Sequence, residues 1–223
     1  MASARGERQP LPAITPEAAA ALWTLVTDNP PATARERLLV GMAAAIEERG
    51  LAASTVADVV RHARASRRTF YEHFRDRDDC FLALYEILGL RLVRVFEEGV
   101  TEHDDWLEEM AGASRAYLVA LTAFPALTRA GLAEMTAIGP RALSARRVLL
   151  QRLAEVLQRV LADGRARHAD VPSRELPPEQ ALAVIGGLHE LVLICVEDGE
   201  IGQILDLAPI AADMVYRLTV VPS

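Results

Sequence analysis

Between Thr55 and Phe74 the chain reads as two short helices joined by a tight turn, the first too short to stand alone. Val56, Val59, Val60 and Ala63 recur at i, i+3, i+4 and i+7, so the first helix has one apolar stripe and must pack on something. Thr55 followed by Asp58 is the pattern of a capping box, and Ser66 offers a hydroxyl to the unpaired N–H groups of a second helix start. In the second helix Phe70 and Phe74 are four apart and turn inward with Ala65. Arg67, Arg68, Thr69, Tyr71 and His73 then remain on the open faces, a surface rich in hydrogen-bond donors. Two capped helices, a tight turn and such a face predict a helix-turn-helix suited to a DNA groove.

Charge supports the same expectation. From Ser54 to Arg77 six Arg face Asp58, Glu72 and Asp76, a local +3, while the whole chain carries −7 and the remainder therefore −10. A basic reader on an acidic body gains phosphate affinity without indiscriminate binding, although charge alone would equally describe a solvated basic helix. Upstream, Thr33 and Glu36 form a second capping box, followed by Leu39, Met42, Ala43 and Ile46 at helical spacing until Gly50. This helix braces the other two, with Leu39, Met42, Ile46, Val56, Val59, Val60, Phe70 and Phe74 as the expected core.

Here a family resemblance rests on specific residues. The Thr-capped helix ending in Ala63, then Ser66, the run Phe70-Tyr71-Glu72-His73-Phe74, and Arg77 opening a long helix capped by Asp76, resemble the DNA-binding signature of the tetracycline-repressor (TetR) family of bacterial transcription regulators. The resemblance implies an all-α homodimer with an N-terminal three-helix DNA-binding domain and a larger helical ligand-binding and dimerisation domain. The expected division is 1–31 as an arm, 32–76 as the helix-turn-helix domain and 77–223 as the effector-binding and dimerisation domain. The arm carries a short helical candidate from Pro16 to Thr27, and Arg5 and Arg8 in it are either minor-groove contacts or part of a solubilising tail. One departure is Arg64, where the family usually has Gly in a left-handed turn; a single non-Gly residue there costs roughly 1 kcal/mol.

A guanidinium can bridge O6 and N7 of guanine, which makes Arg67 and Arg68 the expected base contacts, with Thr69 beside them. Thr55, Tyr71, His73 and Arg77 are assigned to phosphates. Glu72 is free to pair with Arg68 or Arg75 instead of touching DNA.

Beyond Asp76 the pattern predicts long helices: 77–98, 103–124, 125–137, 140–163, 178–198 and 207–220, with a loop from Gly164 to Pro177. Glu155 and Arg159 are spaced for an i,i+4 pair. The run Ala181 to Val196 is apolar nearly all round, so one face needs a partner outside the subunit or completes one large core. With the last helix it would form a four-helix bundle across a two-fold axis, through Ile185, Leu188, Val192, Ile210 and Met214, the pair Gly186-Gly187 permitting close approach. On the helices that in this family surround a ligand cavity lie Phe96, Trp106, Met110, Tyr117, Phe124 and Met135, either effector-pocket lining or ordinary core. Arg94, Arg115 and Glu134 would orient a polar ligand if they point inward.

Composition narrows the remaining classes. With 51% hydrophobic and 5% aromatic residues the chain favours helices over sheets, and all 24 basic residues are Arg. Cys80 and Cys195 are isolated, which indicates neither a disulfide framework nor a zinc site, and the apolar run interrupted by His189 and Glu190 is not expected to span a membrane. No Ser-His-Asp or Cys-His arrangement, phosphate-binding Gly loop or metal-ligand pattern is present, so no catalytic residue, metal or cofactor is expected. Isolated thiols suit a cytoplasmic protein, and the resemblance implies a homodimeric regulator, most simply a repressor, that binds a palindromic double-stranded DNA operator and is released by a small-molecule effector. The alternative is a ligand-independent helix-turn-helix module for DNA architecture or protein interaction.

Overall fold

The computed structural model describes residues 30–100 and 103–221, and among them the only extended pairing is one isolated antiparallel bridge, Ser173 to Val220. The fold is all-α in two parts. The reader consists of α1 (Ala34–Arg49), α2 (Val56–His62) and α3 (Arg67–His73). The body consists of α4 (Arg77–Glu98), α5 (Trp106–Thr122), α6 (Pro125–Leu132), α7 (Pro140–Arg167), α8 (Pro178–Glu197) and α9 (Leu207–Thr219). Turns of 3-10 helix, Glu134–Ile138 and Ile201–Asp206, lead into α7 and α9. Arg5, Arg8 and the expected helix at 16–27 lie outside the described residues.

Local chemistry sets the reader's boundaries. Thr33 with Glu36 and Thr55 with Asp58 form reciprocal capping boxes on α1 and α2, and the Ser66 hydroxyl accepts from the Thr69 N–H at the start of α3. At the end of α2 the Ala65 N–H bonds to the Val60 carbonyl at 3.0 Å and the Arg64 N–H to the Arg61 carbonyl at 3.3 Å. That is a Schellman arrangement, and it places Arg64 at φ 49°, the one non-Gly residue with positive φ among the described residues. Gly41 lets α2 approach α1 closely, because a Cβ there would sit 2.5 Å from the Val59 carbonyl oxygen. Leu39, Met42, Ile46, Val59, Phe70 and Phe74 are buried as the periodicity predicts, whereas Val56 and Val60 are only partly covered.

Helix α4 joins the two parts, packing on α1 of the reader and on α5 and α7 of the body. Helices α5 and α9 pack together, as do α7 and α8. Several boundaries differ from the sequence expectation. Helix α5 begins at Trp106, capped by Asp105, rather than at His103, and α6 ends at Leu132 before a 3-10 turn. Helix α7 runs through Gly164 to Arg167, because that glycine serves close packing and not a stop: a Cβ on it would meet the Trp106 indole nitrogen at 2.7 Å. Arg159 pairs with Glu97 of α4 and not with Glu155, since a neighbouring helix supplies an acid within its reach.

Helix α8 is the one described helix long and apolar enough to cross a membrane, with a mean hydropathy of 1.6 over its most apolar window. Here Val184, Ile185, Leu188, Val192 and Val196 are buried in the body, as in a core helix. Cys80 is buried and Cys195 partly so, both as free thiols.

The strain at Arg64 is testable. Replacing it by Gly relieves a left-handed conformation, and Arg64→Gly is expected to stabilise the chain by up to about 0.5 kcal/mol after allowing for the greater freedom of Gly when unfolded. Urea unfolding monitored by circular dichroism measures it; a variant less stable than the parent contradicts the strain.

Candidate nucleic-acid interface and ligand cavity

The reader presents α3 by burying its opposite side. Phe70 is fully buried and Phe74 nearly so, and Tyr71 stands edge-on to Phe70 with centroids 5.3 Å apart while remaining 59% exposed. The Arg35 guanidinium lies 5.3 Å from the Phe74 ring centroid, closing the helix's inner end. Outward stand Arg67, Arg68 and His73, with Thr69 half-buried. Arg68 is held by Glu72 at 3.1 Å but its side chain is 90% exposed, and Arg67 has no partner among the described residues. The Thr69 hydroxyl lies 2.9 Å from that of Ser66, which fixes its rotamer. Thr55 is exposed beside this helix, although its hydroxyl already bonds the Asp58 carboxylate at 2.6 Å.

Arg77 has a different place from the phosphate contact expected of it. Its Nη1 donates to the carbonyls of Leu51 at 2.9 Å and Ser54 at 3.1 Å, and its other nitrogens hold Asp78. It is an internal clamp that ties the start of α4 to the turn before α2. Two more contacts join reader to body. The Glu47 carboxylate on α1 accepts from the Leu127 N–H at 2.9 Å, capping α6, a helix with no side-chain cap of its own. Burial raises the Glu47 pKa above the ordinary carboxylate range, with those backbone donors opposing it. Glu134, which would orient a ligand only if it pointed inward, accepts from the Ala52 N–H at 3.1 Å.

Inside the body α4, α5, α6, α7 and α8 enclose a cavity of about 320 Å³, walled by Leu88, Leu92, Val95, Leu121, Leu127, Leu132 and Leu149 among others. Of the residues expected there, Tyr117 and Phe124 line it. Phe96, Trp106, Met110 and Met135 do not: they are buried core. Phe96 stands edge-on behind Tyr117, and Trp106 stacks on His168 with ring centroids 6.3 Å apart. Arg94 and Arg115 are exposed, and the cation on the cavity wall is Arg91. Its polar groups centre on Tyr85, Tyr117 and His189. The Tyr117 hydroxyl and His189 Nε2 share a short hydrogen bond, and the two rings stack with centroids 6.0 Å apart.

The outer faces of α8 and α9 correct the expected contact residues. Ile185, Leu188 and Val192 are buried within the subunit, because α8 packs on α6, α7 and α9 and is apolar on its inner side as well as its outer one. On α8 Leu182, Leu191 and Ile194 are exposed instead, while on α9 two of the expected residues do face outward, Ile210 exposed and Met214 half-exposed. Among the described residues, nothing beyond the adjoining turns of α8 itself lies within 4 Å of a Cβ placed on Gly186 or Gly187, so this face is open.

A braced helix that holds Arg67 and Arg68 outward, carried on an all-helical body with an apolar cavity, is the fold of a helix-turn-helix DNA-binding regulator. Residues 38–84 match the family model for bacterial regulatory proteins of the tetR family. Among solved structures, a TetR-family transcriptional regulator from Pectobacterium atrosepticum is similar at 23% identity and TM-score 0.65, over 85% of this chain and 95% of that one. The transcriptional regulator FadR from Bacillus subtilis, in complex with stearoyl-CoA, is similar at 17% identity and TM-score 0.65, over 80% and 96% of the two chains. The reduced form of Escherichia coli NemR is similar at 17% identity and TM-score 0.59, over 86% and 100%. No curated protein matches the sequence.

The sequence left Tyr85, His189 and Glu47 unassigned. For His189 a signal existed, a lone imidazole in the most apolar run of the chain. Burial, with the charge of Arg146 adding, pushes His189 from 6.5 down to about 4. As pH falls the unfolded chain is protonated first, so stability is lost between about pH 6.5 and 4, by up to about 3 kcal/mol. Denaturant unfolding from pH 7 to pH 4.5 is expected to show a shallower loss in His189→Gln than in the parent. Parallel curves for the two contradict the assignment.

Proposed function

We propose that two copies of this chain bind an operator with inverted half-sites, each laying α3 in a major groove, and that a small molecule in the body cavity releases them, making the protein a repressor. Arg67 and Arg68 read bases, Thr69 supports them, and Thr55, Tyr71 and His73 fix register on phosphates. Arg77 serves this reading indirectly, by holding the turn before α2. The observation that carries the proposal is that Arg67 has no partner among the described residues, on a helix whose opposite side is sealed by Phe70 and Phe74. A face so basic and open, in a chain of net charge −7, matches a polyanion.

Selectivity needs two such helices, because one reads too few bases; symmetric readers engage half-sites about 34–36 Å apart or a multiple of that spacing. The open apolar face formed by Leu182, Gly186, Gly187, Ile194, Ile210 and Met214 supports a two-fold contact there. The case for an effector rests on the cavity's walls. Helix α4 contributes Leu88 and Leu92 to it and carries Arg77 at its other end, while α6 contributes Leu127 and is capped by Glu47 of the reader. A molecule wedged between these helices bears directly on both joints, and a coupling of about 1–3 kcal/mol would lower operator affinity about 5- to 150-fold. That a FadR of similar fold is solved with stearoyl-CoA supports reading the cavity as a ligand site.

The test begins with an operator selected from genomic DNA by the purified protein. On it, Arg67→Ala and Arg68→Ala are each expected to weaken binding by about 1–3 kcal/mol and to relax preference at particular base pairs. Tyr71→Phe is expected to weaken specific and non-specific binding alike. Unchanged base preference in the double arginine variant would falsify the reading role.

A further inference from the structure

The body cavity says more about its ligand than that one fits. At about 320 Å³ it lies near the lower end of the range for small-molecule sites, roughly 300–1,000 Å³, and its wall is largely apolar. No carboxylate is among the residues that line it, and the one lining cation, Arg91, already faces Glu98 at 3.4 Å. A ligand cation would find no counter-ion. A ligand anion would lose its hydration with no free cation on the wall to replace it, since His189 is held neutral by its burial.

The remaining polar groups on this wall are unevenly satisfied. The Tyr85 hydroxyl has no hydrogen-bond partner among the described residues, although Tyr85 is only 8% exposed. The Tyr117 hydroxyl meets His189 Nε2, and His189 Nδ1 is buried with no partner. Two proton arrangements are open to that pair. If Tyr117 donates, Nδ1 carries an orphaned N–H; if Nε2 donates, Nδ1 keeps only a bare lone pair and the Tyr117 proton is free. Each arrangement leaves one donor unpaired, but Nδ1 is buried whereas Tyr117 lines the cavity, so a bound acceptor that takes the Tyr117 proton favours the second. The same cavity then holds two phenolic O–H donors, from α4 and α5, and a phenol donates better than it accepts.

We propose that this cavity takes an uncharged, largely apolar molecule carrying one carbonyl oxygen, which receives hydrogen bonds from the hydroxyls of Tyr85 and Tyr117. The proposal rests on reading the cavity as the effector site. Arg146, which no carboxylate pairs with among the described residues, acts electrostatically on both Tyr85 and His189 and so places a positive potential at the carbonyl end.

The test uses the full chain and a matched series, 2-undecanone, 2-undecanol, undecanoate and undecylammonium, titrated by isothermal calorimetry. The ketone is expected to bind best, with both ions at least about tenfold weaker. Tyr85→Phe and Tyr117→Phe are each expected to weaken the ketone about 2- to 10-fold, and Ala120→Trp, which fills the cavity, to abolish binding of every member. Equal or tighter binding of the alcohol or of either ion overturns the proposed chemistry and leaves the cavity as a ligand site. So does ketone affinity unchanged in both Phe variants. Failure of the whole series to bind the parent, or unchanged binding in Ala120→Trp, overturns the cavity reading and the proposal with it.

Discussion

Helix α1 is buried from two sides at once, and the rest of the molecule is arranged around that fact. Leu38, Leu39, Met42, Ala45 and Ile46 are all less than 1% exposed, enclosed by α2 and α3 of the reader and by α4 and α6 of the body. No separate reader core exists: Phe70 and Phe74 belong to the same apolar cluster as Phe81 and Leu84 of α4. Burial on this scale, about 1.5–3 kcal/mol for each large aliphatic or aromatic side chain, makes the orientation of α3 a property of the whole chain. A tethered reader would lack that property.

Polar contacts then refine the joint. The Arg77 clamp, the Glu47 cap on α6 and the Glu134 contact with the Ala52 N–H all cross between reader and body. Each satisfies backbone groups that the fold would otherwise leave unpaired, so displacing it is costly as well as geometrically consequential. Two of the three end on helices that wall the cavity. An apolar space held open beside such a joint is where a small change in packing reaches furthest, because packed interiors shift between discrete arrangements rather than deforming smoothly.

Much of this was legible because its causes are local. Capping boxes at Thr33 and Thr55, the Ser66 cap, the inward Phe70 and Phe74, and the strained Arg64 all follow from residues within one turn of each other. Features that depend on distant partners were not. Glu47 lies 80 residues from the helix it caps, and nothing near it in sequence marks it. Gly164 looks like a helix stop until Trp106 is seen against it. Residue type could not separate cavity wall from core, so Phe96, Trp106, Met110 and Met135 were grouped with Tyr117 and Phe124. On α8 both stripes are apolar, and periodicity selected Ile185, Leu188 and Val192, the side that packs inside the subunit.

The account stands on reader and body forming one cooperative unit through α1. Native-state hydrogen exchange across a range of low denaturant concentrations measures this directly. The amides of α1, α2 and α4 are expected to exchange through a shared opening, with the same free energy and denaturant dependence. Exchange of α1 to α3 through a separate, smaller opening while α4 to α9 stay protected would contradict it.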